Sequence, residues 1–308
     1  MGQGSMSDKP AITIGLPVRD NLVYLEEAIK SVYAQTFENW TLLIVCDGAT
    51  PEIVQFVQSL IDPRVEVIIE DTNRGLANRL NQIASLAKTQ YLARMDSDDI
   101  MVPSRLQTQF DFMKNNPDLD VLGTSNYLID EESNLIGEYK EPTYDNSPSS
   151  FLNNGIFSHP SVIMKTEWAI RNPYDPKWIR TEDKELWLRT FDQSSFHKLE
   201  ARLMFIRVPK QLDRDKFLLT SKYNRKLIRE LGGKVAPKQK IIRLYVGNLM
   251  KALVFQALKL MRLDTMIYGK KFINLQVNES RLIGQELKII RDHRIPRNSA
   301  NDMDEKRI

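Results

Sequence analysis

The chain has 308 residues, 42% of them hydrophobic and 27% charged, the balance of a folded globular protein rather than a disordered or fibrous one. A formal net charge of +3 is too small to point to nucleic acid. A single cysteine, Cys46, excludes an intrachain disulfide and a cysteine-built zinc site and fits a reducing compartment.

Met1–Ser5, ahead of Met6, reads as an expression scar, and no charged-then-apolar secretory layout follows it. Ala11–Val18 is expected as a strand running into a loop at Pro17. Leu22–Gln35 follows with helical spacing, Leu22, Leu25, Ala28, Ile29 and Val32 sharing one face. Trp40–Cys46 is an uninterrupted apolar run ending at Asp47-Gly48, the pattern of a parallel strand buried on both faces. A helix at Pro51–Leu60, a strand at Val65–Ile69, punctuation at Asn73-Arg74-Gly75, a helix at Leu76–Ala87 and a strand at Tyr91–Met95 complete the series. Strand and helix in steady alternation predict an α/β fold with a doubly wound, mostly parallel sheet flanked by helices. Ligands bind beyond the carboxyl ends of such strands, where Pro17, Asp47 and Asp96–Asp99 all fall.

Three carboxylates, Asp96, Asp98 and Asp99, follow the Tyr91–Met95 strand, and then comes Pro103, which suits a first helical turn because its missing N–H has no partner there. In an extended segment Asp96 and Asp98 would point together and Asp99 oppositely. Carboxylates aimed alike repel unless something positive lies between them, and Mg²⁺ typically takes one or two carboxylates plus substrate phosphates. The bland alternative is a polar turn capping the helix through Ser97 or Asp99. The place of the cluster behind a buried strand favours a divalent metal, Mn or Mg.

From Leu119 the rhythm changes. Asp120–Thr124, Tyr127–Asp130 and Leu135–Tyr139 read as short strands, the last two joined by a polar turn at Glu131–Asn134. The loop Glu141–Ser150, rich in Pro, Asn and Ser, has the length of a functional loop. Phe157–Met164 introduces another strand, and Trp178–Arg189 runs from a loop into an amphipathic helix with Thr181 as its N-cap. Beyond about Lys216 the pattern is helical: Phe217–Leu231 with a stop at Gly232-Gly233, then a long periodic helix over Gln239–Leu263 with Lys and Arg on its other face and ends. No apolar run approaches the roughly 20 residues that span a bilayer. The expected division is an α/β domain over 10–215, a helical extension over 216–295, and disordered ends at 1–9 and 296–308.

Several of these stretches together resemble family 2 glycosyltransferases: Ile14-Gly-Leu-Pro-Val18, Ser31–Thr36, Leu43–Gly48, Asn73–Ala77, Ala93–Asp99 and Pro103–Leu106. His159-Pro-Ser-Val162 and Glu182-Asp183 with Leu186–Arg189 are similar to the branch that makes bacterial surface polysaccharides. The resemblance covers roughly residues 11–210, in order, and leaves the terminal helices uncovered. It implies a GT-A fold and a metal-dependent inverting transferase of the hexosyl class. The donor would be a nucleotide-diphosphate sugar, with a UDP-sugar expected, and the acceptor a saccharide or a lipid-linked saccharide. It also implies a cytoplasmic location, at the inner face of a membrane if a peripheral membrane contact is made, and no nucleic-acid partner. Residue by residue, Pro17, Val18, Arg19, Asp47, Arg79, Asp96 and Ser97 would surround the nucleotide, with Asp47 accepting a base N–H. Asp96 and Asp98 would hold the metal at the diphosphate, and Asp183 would be the general base. His159, Glu182 and Trp178 would lie toward the acceptor.

The chain also departs from the family pattern. Arg19-Asp20 replaces an aromatic-Asn pair, Cys46-Asp-Gly-Ala49 replaces Asp-Asp-Gly-Ser, and Arg207-Val-Pro-Lys210 lacks the His that commonly follows the Arg, leaving Lys210 or Arg214 as substitutes. Each assignment has a plainer counterpart. Asp183 and Glu182 suit a helix start without any catalysis, and Asp47 before Gly forms an Asx-turn in many proteins. His159 before Pro can simply bond backbone, Trp178 can simply pack, and Arg94 reads as a structural counter-charge to the acids. A nucleotidyltransferase remains the alternative enzyme, although Pro17–Asp20 has no Gly-rich triphosphate loop. A catalytically degenerate sugar-nucleotide-binding protein is the alternative without turnover.

Overall fold

The two longest apolar runs pair with each other. In the computed structural model, which describes residues 10–139, 147–153, 157–261, 272–273 and 275–298, β1 (Ile12–Val18) lies parallel to β2 (Trp40–Asp47), with Ile12 opposite Trp40 and Val18 opposite Cys46. β3 (Val65–Glu70) and β4 (Tyr91–Arg94) extend the parallel set to the spatial order β3-β2-β1-β4. Because successive strand residues point to opposite faces, both faces need apolar cover. Ile12, Ile14, Leu16, Leu42, Ile44 and Cys46 pack with α1 (Leu22–Tyr33), α2 (Pro51–Gln58) and α4 (Arg105–Asn115). Leu43, Val45 and Leu92 pack on the other face with α3 (Leu76–Leu86), α6 (Thr166–Arg171) and α7 (Glu182–Thr190).

Past β4 the sheet turns mixed. β8 (Ile163–Lys165) lies antiparallel between β4 and β6 (Val121–Ile129), and β7 (Leu135–Tyr139) and the two-residue β10 (Phe272–Ile273) follow on the outer edge. β6 is one strand where the sequence suggests two, and the break expected near Ser125 is an irregularity in its pairing with β9 (Phe196–Arg207) rather than an end. β9 pairs in turn with the two residues of β5 (Ile100–Met101), so it joins the start of α4 to the middle of the sheet. Only the end of the expected Phe157–Met164 strand is extended, His159–Ser161 forming a 3₁₀ turn ahead of β8. The short helix α5 (Pro148–Asn153) occupies the described end of the Pro/Asn/Ser-rich loop, and most of that loop lies outside the described residues.

The C-terminal region is helical as far as it is described, apart from β10. α8 (Arg214–Val235) continues through Gly232-Gly233 instead of stopping there. Gly232 is buried, and a Cβ on it would sit 3.4 Å from Ile241 Cγ1, so the glycine serves close approach to α9 (Lys238–Leu260). α10 (Val277–Arg291) closes a third apolar cluster, placing Leu287 and Ile290 against Ile100, Val102, Ile129 and Phe205. The expected disorder from 296 begins too early, because Ile61 donates its N–H to Pro296 O and Asn298 donates to Ser59 O, both at 3.0 Å. Those backbone groups tie the segment to the end of α2. Residues 1–9 and 299–308 lie outside the described residues.

Candidate active site

The acid-rich segment does not run extended. After Met95 it turns, Asp99 N–H approaching Asp96 O at 3.5 Å. The alternation expected of a strand therefore fails, and the carboxylate oxygens of Asp96, Asp98 and Asp99 come within 4.8 Å of one another. Arg207, at the end of β9, holds the turn. Its N–H donates to Asp99 Oδ1 (2.9 Å) and its Nε to Asp98 O (2.8 Å). The rest of its guanidinium donates to Asp130 O (2.9 Å), Ser133 Oγ (2.8 Å) and Glu27 Oε2 (2.7 Å), and its plane lies 3.9 Å over the Tyr24 ring. Arg207 thus fixes the loop from behind. Lys210, expected as an electrostatic substitute here, is paired with Glu132 at 2.6 Å.

The three carboxyls differ in setting. Asp99 is buried, and burial followed by the Asp98 and Asp96 charges raises its pKa well above the carboxylate range. Asp98 is exposed to solvent. Desolvation by the surrounding loop and then the Asp96 charge push it up to about 6. Asp96 is half-buried and accepts from Arg94 Nη2 at 2.7 Å. Carboxylates crowded this closely, two of them raised by burial and by neighbouring charge and one of them exposed, are the donor set a hard divalent cation takes. The residues present fit that group.

Asp96 lies in the wall of a cleft of about 590 Å³ that opens beyond the carboxyl ends of the parallel strands. Asp183 and Glu182, from the first turn of α7, line the same cleft, as do His159, Trp178, Arg94 and the segment Arg74–Asn78. So Asp96 and Asp183, 87 positions apart in the chain, face one space; both carboxylate charges bear on the Tyr174 hydroxyl, whose pKa is raised chiefly by burial. Glu182 is pushed up to about 7, by burial first and by the Asp183 charge second. His159 donates to or accepts from Tyr174 Oη at 2.8 Å, and burial with Arg94 nearby lowers its pKa well below the usual range, leaving a neutral ring. Trp178 is buried, with Lys226 Nζ 4.3 Å from its ring centroid on one face.

Arg94 is 3% exposed, and besides its bond to Asp96 its Nε and Nη1 have no hydrogen-bond partner among the described residues. The expected counter-charge is there, with donors to spare.

Not every residue expected around the nucleotide reaches this cleft. Pro17 and Val18 end β1 opposite Val45 and Cys46, and Arg19 is exposed just beyond. Asp47 is 6% exposed and accepts from Arg74 N–H (2.8 Å), Gly75 N–H (2.9 Å) and Arg79 Nε (2.6 Å). Arg79, expected to contact nucleotide, is only 2% exposed, and its remaining donors go to Gln82 Oε1 and Thr72 O. Burial and these bonds turn the Asp47–Arg79 pair inward, where it shapes the Asn73–Gly75 turn and so sets the cleft wall at Arg74–Asn78. Ser97 lies within the acid turn itself.

Arg74 and Arg180 are cleft residues that sequence reasoning missed. Arg180 has a left-handed backbone (φ 64) and donates Nε to Thr220 Oγ1 of α8 at 2.6 Å. A non-glycine residue in that region is uncommon and marks a constrained site. Its only sequence signal is its place just ahead of Glu182-Asp183.

Comparison with known proteins agrees with this geometry. The model of Glycosyl transferase family 2 matches residues 13–175. An uncharacterized glycosyltransferase of Methanocaldococcus jannaschii is 32% identical over 219 residues, 68% of this chain and 74% of that protein. The UDP-Glc:alpha-D-GlcNAc-diphosphoundecaprenol beta-1,3-glucosyltransferase WfgD of Escherichia coli is 28% identical over 182 residues, 59% of this chain and 70% of its own. Among solved structures, the mannosyltransferase PcManGT of Pyrobaculum calidifontis, in complex with GDP-Man and Mn²⁺, superposes with a TM-score of 0.55 at 11% identity, covering 92% of this chain and 85% of that one. That likeness is one of fold, and the fold is GT-A.

Proposed function

The chain belongs to glycosyl transferase family 2, and from that membership we propose an inverting transfer of a hexosyl group from a UDP-sugar to a saccharide or lipid-linked acceptor in surface polysaccharide synthesis. The observation that supports the reading is one cleft whose lining includes both Asp183 and Asp96, the latter a member of the carboxylate cluster. The E. coli relative named for a UDP-sugar and a diphosphoundecaprenol acceptor supports both substrate classes. A peripheral contact with a membrane's inner face belongs to the same reading, because a lipid-linked acceptor resides there.

Asp96 and Asp98 would hold a divalent metal, which when bound neutralises charge developing on the departing diphosphate. Arg94 keeps Asp96 oriented from the buried side. Arg74 and Arg180 add positive charge to the cleft wall, where a diphosphate is favoured. Asp183 takes the proton from the acceptor hydroxyl as that oxygen bonds to the anomeric carbon and the sugar–phosphate bond breaks. A single displacement from the face opposite the leaving group inverts that carbon. Tyr174 and His159 form a neutral, hydrogen-bonded pair at this cleft.

The test is UDP-sugar hydrolysis and transfer with Mn²⁺ in two variants. Asp98→Ala is expected to lose metal-dependent turnover. Asp183→Asn should fall by about 10²–10⁴-fold while keeping donor affinity. Full turnover in Asp183→Asn contradicts the assignment, and no turnover in the wild-type chain favours the degenerate reading.

A further inference from the structure

α9 is 23 residues long, and its apolar window has a mean hydropathy of 1.3 with 11% of it buried. Its two sides differ. One is committed to α8: Phe255 stacks on Phe217 with ring centroids 4.0 Å apart, and Asn248 Oδ1 accepts from Ser221 Oγ (2.7 Å) and Arg225 Nη1 (3.1 Å). The other carries Ile242, Val246, Leu249, Met250, Leu253 and Val254, each 39–54% exposed. Most of these recur at three- and four-residue steps, so they form one continuous stripe along the helix. Isolated exposed apolar residues need no explanation, but a contiguous stripe does.

The charges say what covers it. Lys238–Leu260 contains no Asp or Glu, while Lys238, Lys240 (which donates to Ser149 Oγ at 2.7 Å), Arg243, Lys251 and Lys259 punctuate it. A second copy laid stripe to stripe would bring two basic helices together. An anionic surface with an apolar interior matches both features. We propose that α9 lies along an anionic phospholipid bilayer, the Ile242–Val254 stripe entering the acyl boundary and its Lys and Arg meeting the headgroups. The helix lies in the interface rather than crossing it, because its α8 side holds polar contacts that a bilayer core would break.

The placement concerns substrate access. α8 stands between α9 and the cleft, reaching the cleft rim through Arg180–Thr220, Lys184–Asn224 and Lys226–Trp178. A bilayer on the stripe is thus separated from the opening by two helix layers, α9 and α8. The lipid identity of the acceptor rests on the proposed function, whereas the docking surface stands on α9 alone.

The experiment sediments the full chain with vesicles of phosphatidylcholine, with and without phosphatidylglycerol. Binding is expected only with the anionic lipid and should weaken as salt rises. Val246→Asp/Leu253→Asp should abolish it, and Arg243→Glu/Lys251→Glu should reduce it on the order of tenfold or more, each cation counting for about fivefold. Both pairs are exposed, so unchanged circular dichroism and UDP-sugar hydrolysis separate a docking defect from a folding or catalytic one. Equal binding to neutral vesicles, no binding, or stripe variants that bind like wild type overturns the proposal. So does a concentration-dependent dimer that the Asp variants dissociate, which would assign the stripe to a second copy.

Discussion

Glu182 and Asp183 are adjacent in the chain and enter the cleft from one helical turn, but Glu182 is the more buried and is pushed up to about 7. A carboxyl whose folded pKa lies above its ordinary 4.5 binds its proton more tightly folded than unfolded. Its contribution to stability is therefore full below about pH 4.5 and is lost as pH rises toward about 7. The shift corresponds to roughly 3 kcal/mol. Glu182→Gln removes the titration. Its unfolding free energy relative to wild type should shift in the variant's favour by about that amount between about pH 4 and about pH 8. Denaturant unfolding at the two pH values measures it, and parallel pH profiles would contradict the burial argument. Such a group also means that raising the pH through neutrality adds negative charge to this part of the cleft.

Helices and strands meet at Glu27. Its carboxylate, on the buried side of α1, accepts from Arg207 of β9 at 2.7 Å and from Arg291 of α10 at 2.5 Å, and Ser133 Oγ donates to it at 2.5 Å. Since Arg207 is also what grips the Asp98–Asp99 turn, Glu27 supports the acid cluster from a distance. Glu27→Ala leaves a buried guanidinium without its carboxylate and should cost about 3–5 kcal/mol. A loss below about 1 kcal/mol in urea unfolding would show that the cluster is held some other way. Gly123 in β6 makes a tighter demand, because a Cβ there would sit 2.3 Å from Phe157 Cγ. Gly123→Ala should cost about 1–3 kcal/mol as the aromatic cluster around Phe157 and Trp187 is displaced; unchanged thermal unfolding would contradict that packing.

How well each element could be read from the sequence follows from how it is buried. β1, β2 and β4 lie between two helical layers, so they read as largely apolar runs. β9 was missed because its middle, Leu199–Arg202, is half-buried or exposed and interrupts the pattern with charges. Gly232-Gly233 read as a stop because a glycine that ends a helix and one that admits a neighbouring helix look alike in sequence. The acid cluster was legible by composition and position, but not its orientation, which depends on a turn pinned by Arg207, 108 residues after Asp99. Arg74 and Arg180 gave only weak signals, their places in Asn73–Ala77 and just ahead of Glu182-Asp183, since only the folded chain brings them to the same cleft.

At the scale of the whole molecule, the parallel half supplies a sheet edge, the mixed half supplies α7 with Asp183, and α8 joins that side of the cleft to α9. The family match ends at 175, before α7, so the proposed base is contributed by chain beyond the matched residues. That division makes a specific demand on the chemistry. If the carboxylate cluster attends the leaving diphosphate and Asp183 the incoming hydroxyl, the two act on opposite flanks of one carbon and no covalent sugar–enzyme intermediate forms. Proton NMR of the first-formed product, taken before mutarotation or further transfer, reads this directly from the anomeric coupling. The expected product has the anomeric configuration opposite to the donor's, and a product that keeps the donor's configuration would contradict the account.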